Sequence, residues 1–287
     1  MKKAINKAPA KKKPVSSAAY RDLHEHLRAL DKAGLLITVN RPINKDTELH
    51  PLVRWQFRGG INEPDRKAFL FTNVVDGKGR KYDIPVVVGA LAANRKIYSI
   101  GMDCAIDDIG KTWNHAIANP ILPNVVKNAP CQEIVVIGKD LTKPGRGLDS
   151  LPIPISTPGW DNGPYTTLSQ YITKDPETGI QNMGIYRGQV KSPTRLGMNP
   201  SLENQPGIYA HWEKAKARGE KLAAAVILGA PPCVAFTAAQ KLPEDTDELH
   251  VAGGLAGGPL NGVNCKTVDL RVPAAAEIVH QGSYHTE

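Results

Sequence analysis

Thr173-Lys174-Asp175-Pro176-Glu177-Thr178-Gly179-Ile180-Gln181-Asn182-Met183-Gly184-Ile185-Tyr186-Arg187-Gly188-Gln189-Val190 is the stretch from which the fold is read. Pro176 presets φ for the first turn position and Gly179 can take a left-handed exit, so Asp175 to Gly179 reads as a hairpin turn. Tyr165 to Thr173 and Ile180 to Val190 then read as its two strands. Pairing Lys174 with Ile180 would set Thr167 opposite Arg187. Asn182 and Arg187 are five residues apart, so a regular strand points them to opposite faces. They share a site only if the strand bulges, and Gly184 is the expected place.

Outward from the hairpin, the texture on the C-terminal side is short strands separated by Pro and Gly. These are Glu133 to Ile137, Ala223 to Leu228 and Val268 to Val272, interrupted by a helix from about Ile208 to Arg218 and a short one after Pro231-Pro232. The N-terminal side alternates instead. A helix capped by Ser16 or Ser17 runs to about Ala33 and ends at Gly34. A strand follows over Leu35 to Val39, then a helix from Asp46 or Thr47 to Arg58. Strands over Ala68 to Val75 and Ile84 to Val88 precede helices at Ile97 to Gly101 and Asp107 to Ile117. The expected architecture is α+β. A basic tail over residues 1–15 reads as disordered, residues 16–125 as an α/β unit, and residues 126–287 as a small β barrel or sandwich.

Composition limits the function classes. At 41% hydrophobic the chain can bury a substantial core. It contains no run of 18 apolar residues, and no apolar segment follows the N-terminal lysines, so neither a membrane span nor a secretory signal is expected. The net charge of +8 owes six lysines to the first 13 residues. No aromatic residues are interleaved with them, so nucleic-acid binding is not expected. Cys104, Cys131, Cys233 and Cys265 lack CxxC spacing, which argues against a zinc ribbon and fits a reduced, cytoplasmic protein. Cys233 has no evident neighbouring base and reads as a packing residue. The glycine cluster from Gly253 to Gly262 lacks the Lys-Ser/Thr ending of a phosphate loop and reads as tight turns. Glu248 lies in an acidic run with Glu244, Asp245 and Asp247 and, taken alone, reads as solvated.

The run TKDPETGIQNMGIYRGQV resembles the central motif of the UbiD family of prenylated-FMN-dependent decarboxylases. Gly163 to Thr167 (GPYTT), Gly229 to Pro232 (GAPP), Glu248 to Gly257 (ELHVAGGLAG) and Asp269 to Gly282 (DLRVPAAAEIVHQG) resemble further family segments, in family order. The resemblance implies a split-barrel, flavin-reductase-like domain holding prenylated FMN, preceded by an α/β domain. Asn182 and Glu248 would ligate a divalent metal, typically manganese, that grips the cofactor phosphate, with potassium as a further candidate ion. Thr167 would touch the phosphate region, and Ile185, Tyr186 and Gln189 would lie near the cofactor, with Ile185 its contact. Arg187 would be the arginine of the family's Glu-Arg-Glu network and hold the substrate carboxylate. The implied reaction is reversible decarboxylation of an aromatic or α,β-unsaturated acid, with the cofactor stabilising the carbanion equivalent.

Two departures qualify this. The family's metal-ligating His falls near Asn204, Gln205 or Pro206 here. Gln205 could supply an oxygen instead, and His211 is the nearest imidazole. The family's two catalytic carboxylates, in an EGPFG(E/D) motif, and its C-terminal domain would lie beyond Glu287. The chain is therefore expected to act in a homo- or hetero-oligomer, a pairing with a separate C-terminal half being one such form. The competing expectation is a non-catalytic subunit that pairs with a paralogue.

Overall fold

The computed structural model describes residues 20–200, 203, 206–243 and 245–285. The expected basic tail, the Ser16/Ser17 cap and Gln205 lie outside the described residues. The first helix is capped by Asp22, whose carboxylate accepts from Glu25 N at 2.7 Å. An acidic cap at this position satisfies an otherwise orphaned N–H.

The N-terminal part of the chain alternates as expected. It runs α1 (Leu23–Lys32), β1 (Leu36–Val39), β2 (Ile43–Asn44), α2 (Leu49–Arg58), β3 (Ala68–Phe71), β4 (Val74–Val75), β5 (Lys81–Tyr82), β6 (Val86–Val88), α3 (Arg95–Gly101) and α4 (Ile109–Ala118). The β1 and β3 strands are parallel, and β6 closes antiparallel on β3. Leu30, Ala68 and Ile97 form one small core, and Ile43, Leu49, Val53 and Phe71 another.

The chain continues with β7 (Asn124–Val126) and the hairpin strands β8 (Tyr165–Lys174) and β9 (Gln181–Ser192). It continues through β10 (Arg195–Met198), α5 (Gly207–Ala217), β11 (Leu222–Leu228), α6 (Pro232–Thr237), α7 (Glu248–Ala256), β12 (Asn261–Asn264), β13 (Arg271–Pro273) and β14 (Ile278–Tyr284). Five strands form one antiparallel sheet in the order β10-β9-β8-β11-β14, curled as a half-barrel. The β7, β12 and β13 strands make a separate sheet beside it. Glu133 to Ile137 is not a strand. It follows a single 3₁₀ turn at Pro130–Gln132 and leaves Ile134 81% exposed, because no neighbouring strand takes up its backbone. The strand expected over Val268 to Val272 is confined to Arg271–Pro273.

The largest core lies between the half-barrel and its helices. Ile172, Met183, Ala225 and Ile227 pack against Val234, Leu249, Val251 and Ala252. All six residues of α6, and all but one of those in α7, are buried, as expected for helices apolar around their whole circumference. Gly253 and Gly254 are therefore helical, correcting the reading of this cluster as tight turns. A Cβ on Gly254 would lie 2.6 Å from Asn119 O and 2.7 Å from Ala116 O, so glycine is what allows α7 to cross α4 this closely. Cys233 is a packing residue as read, and burial pushes its thiol up to about 12.

Candidate functional site

The hairpin's register decides which side chains meet. Lys174 pairs with Gln181, not Ile180, so on the turn side of the ladder, from Lys174 to Ser169, each partner moves by one residue; beyond Thr166 the expected register returns, with Thr166 opposite Gly188 and Tyr165 opposite Gln189. Thr173 then faces Asn182, Tyr171 faces Gly184 and Ser169 faces Tyr186. The irregularity lies between Thr166 and Ser169 on β8, not at Gly184 on β9. Thr167 and Leu168 occupy this bulge and are exposed, beside Arg187. Gly184 has a different role. A Cβ there would sit 2.6 Å from Tyr186 Cε2 and 2.8 Å from its hydroxyl, so the missing side chain makes room for the Tyr186 ring. That ring meets Tyr171 edge-on at 5.8 Å.

Glu248 is the first residue of α7 and is only 2% exposed, not part of a solvated loop. Asp247 caps the helix by accepting from Leu249 N at 2.8 Å, which turns Glu248 back towards the sheet. Its Oε1 accepts from Asn182 Nδ2 at 2.8 Å, and its Oε2 accepts from Met183 N at 2.7 Å. Among the described residues no cation pairs with it. Burial, with a smaller contribution from the Asp247 charge, pushes its carboxyl up to about 7. Tyr186 is pushed up to about 12, first by burial and then by the Glu248 charge.

Asn182 also lies against the start of α5. A Cβ on Gly207 would come within 2.6 Å of Asn182 Oδ1. His211, one turn further along α5, is buried, and its Nδ1 lies 2.9 Å from Thr173 Oγ1. Thr173 is the cross-strand partner of Asn182, so the polar groups run Glu248, Asn182, Thr173, His211 across the end of the hairpin. Among the described residues no three His, Cys, Asp or Glu side chains converge as a preformed metal cluster. The donors that do meet, an amide and a carboxylate whose charge no cation offsets, suit a hard divalent cation.

Arg187 sits apart from this group. Its side chain is 59% exposed, and its Nη1 donates to Asp161 Oδ1 at 3.0 Å. Its guanidinium lies 4.5 Å from the Tyr165 ring centroid. Ile185 is partly buried against the main core. Asp161, Thr173 and Gly207 were not singled out in the sequence. Only tertiary contacts bring them to Arg187 and Asn182, and no local spacing marks them.

Residues 124–287 match the family model of the UbiD 3-octaprenyl-4-hydroxybenzoate carboxy-lyase Rift-related domain, and the chain belongs to the UbiD family. Among solved structures it is similar to the UbiD-class enzyme HmfF from Pelotomaculum thermopropionicum in complex with prenylated FMN. The identity is 31%, the TM-score 0.80, and the match covers 92% of this chain and 57% of that one. It is also similar to Sedimentibacter hydroxybenzoicus vanillic acid decarboxylase, at 29% identity and TM-score 0.78, over 92% of this chain and 55% of the other. An uncharacterized Aquifex aeolicus protein is 34% identical over 92% of this chain and 55% of its own length. The chain thus spans about half the length of the curated relatives it matches. Among the described residues no helix is long and apolar enough to cross a membrane.

Proposed function

We propose that this chain is the cofactor-bearing part of a UbiD-class carboxy-lyase, binding prenylated FMN and a divalent metal such as manganese for reversible decarboxylation of an aromatic or α,β-unsaturated acid. The observation that carries this is the buried Glu248 carboxylate, joined to Asn182 and without a cation partner. A buried charge of this kind is costly unless an ion compensates it. Asn182 and Glu248 would supply oxygen ligands, with His211 as the nitrogen candidate. The N-terminus of α5 at Gly207 adds oriented N–H groups suited to a phosphate. Thr167, Ile185 and Tyr186 are assigned to the flavin side and Arg187 to the substrate carboxylate. When bound, the prenylated flavin supplies the electron sink for loss of CO₂. The residues of this chain bind, orient and exclude water. The four thiols are free and accord with a reducing, cytoplasmic setting. We divide the chain just ahead of β7, which pairs with β12.

The test is thermal unfolding of the purified chain with manganese plus FMN or prenylated FMN. Ligand at a hundredfold excess over Kd stabilises the native state by about 2.7 kcal/mol. A clear rise in Tm that Asn182→Ala abolishes is the expected result. An unchanged Tm in the wild type would count against a cofactor site.

A second reading, assembly with a further polypeptide unit, is favoured by one observation. A cavity of about 680 Å³ opens beside the edge strand β14, lined by residues including Ile137, Tyr171, Val226 and Tyr284. Co-expression with the unmatched half of the Aquifex aeolicus relative tests this. A stable complex supports the reading, and two separately eluting chains oppose it.

A further inference from the structure

Arg187 is long, charged and more than half exposed, yet its guanidinium is held on two sides. Asp161, which holds one of them, is the rigid partner. Its side chain is 8% exposed, and its two oxygens are divided between two donors. Oδ1 takes Arg187 Nη1 at 3.0 Å, and Oδ2 takes Thr157 N at 3.0 Å. The backbone closes the same loop, with Asp161 N donating to Thr157 O at 2.9 Å. Arg54 Nη1 lies 3.4 Å from Thr157 Oγ1, linking the loop to α2. The Tyr165 ring then faces the guanidinium at 4.5 Å. A planar guanidinium fixed by one carboxylate contact and one ring keeps its other N–H groups in a defined plane. Among the described residues those N–H groups make no other hydrogen bond.

We propose that Asp161 is a positioning residue for Arg187. It anchors one Nη of the guanidinium so that the remaining N–H groups present a preoriented fork to an incoming carboxylate. This rests on the reading of Arg187 as the carboxylate-holding residue. Asp161 acts through Arg187 and touches no ligand. Its two-point attachment to the Thr157 turn makes it the fixed element and Arg187 the element that is aimed. Without it, a half-exposed arginine samples many rotamers, and ordering it on binding costs affinity.

Two measurements test this. The first needs no cofactor: ¹⁵N NMR of the arginine side chains in the ligand-free chain, with Arg187 assigned through Arg187→Lys. Separate Nη resonances from hindered rotation are expected in the wild type and a single averaged pair in Asp161→Asn, with Asp161→Glu retaining the hindered state in part. An Arg187 signal that is averaged in the wild type, or unchanged in Asp161→Asn, overturns the proposal. The second is titration of benzoate, as the carboxylate probe, into the chain loaded with FMN and manganese. Asp161→Asn is expected to weaken benzoate by about tenfold, the scale of one hydrogen bond to a charged group, while leaving FMN affinity unchanged. Benzoate affinity within twofold of the wild type would overturn the orienting role. A wild-type chain that takes up no flavin would sink the cofactor reading instead, and the NMR result would then decide the Asp161 proposal on its own.

Discussion

Replacing Glu248 with Gln asks whether the centre of the site is a buried charge awaiting a cation. The carboxyl ordinarily titrates at 4.5 and is held at about 7 in the folded chain. Below 4.5 it is protonated in folded and unfolded chains alike, and stability is unaffected. Between 4.5 and 7 the unfolded chain releases the proton while the folded chain keeps it. The wild type therefore loses stability as pH rises, and the full loss is reached above 7. At ~1.36 kcal/mol per pKa unit, the loss amounts to about 3 kcal/mol. Glutamine nearly matches the shape. Its oxygen can accept from Met183 N, and Asn182 can turn its amide so that Oδ1 accepts from the new Nε2. Glu248→Gln should therefore lie within about 1 kcal/mol of wild type at pH 5. At pH 8, without added metal, it should be more stable by up to about 3 kcal/mol. Urea unfolding followed by tryptophan fluorescence at pH 5, 6.5 and 8 reads the difference. Manganese should then raise the wild type at pH 8 and leave the variant where it was. A stability gap that stays flat across pH would refute the argument, because it would mean that Glu248 is not held protonated by its surroundings.

Two glycine replacements probe the packing that places the site. Gly184→Ala puts a methyl where the Tyr186 ring lies, and the cost should be about 1–3 kcal/mol, read by chemical denaturation. No loss would mean the ring moves aside freely and is not held against Tyr171. Gly254→Ala is expected to destabilise α7 against α4, although alanine favours an isolated helix by about 1 kcal/mol. A rise in Tm would show that the helices can move apart, since backbone carbonyls rather than flexible side chains meet the added methyl.

Much of this protein is legible one segment at a time. Asp175-Pro176-Glu177-Thr178-Gly179 dictates a hairpin wherever the chain folds, because Pro and Gly fix local dihedrals. The alternation of Leu23, Leu27 and Leu30 with polar residues, and the apolar run in β11, set helix and strand by their own periods. Asn182, Glu248 and Arg187 are legible as candidates through the run of segments resembling one family. Tertiary structure decided the rest. Glu248 looks solvated among its acidic neighbours and becomes buried only when α7 docks beneath the hairpin. Ile134 and Val135 read as strand by propensity, yet with no partner strand beside them they remain exposed. Between the turn and the bulge the register slipped by one residue, and the bulge fell on β8 and restored it, because hydrogen bonding across a ladder depends on both strands at once. Asp161 meets Arg187 across 26 residues of chain. Periodicity and turn chemistry act over a few neighbouring residues and are written in the sequence, whereas burial, register and long-range contacts depend on which surfaces meet, and only the folded chain determines that.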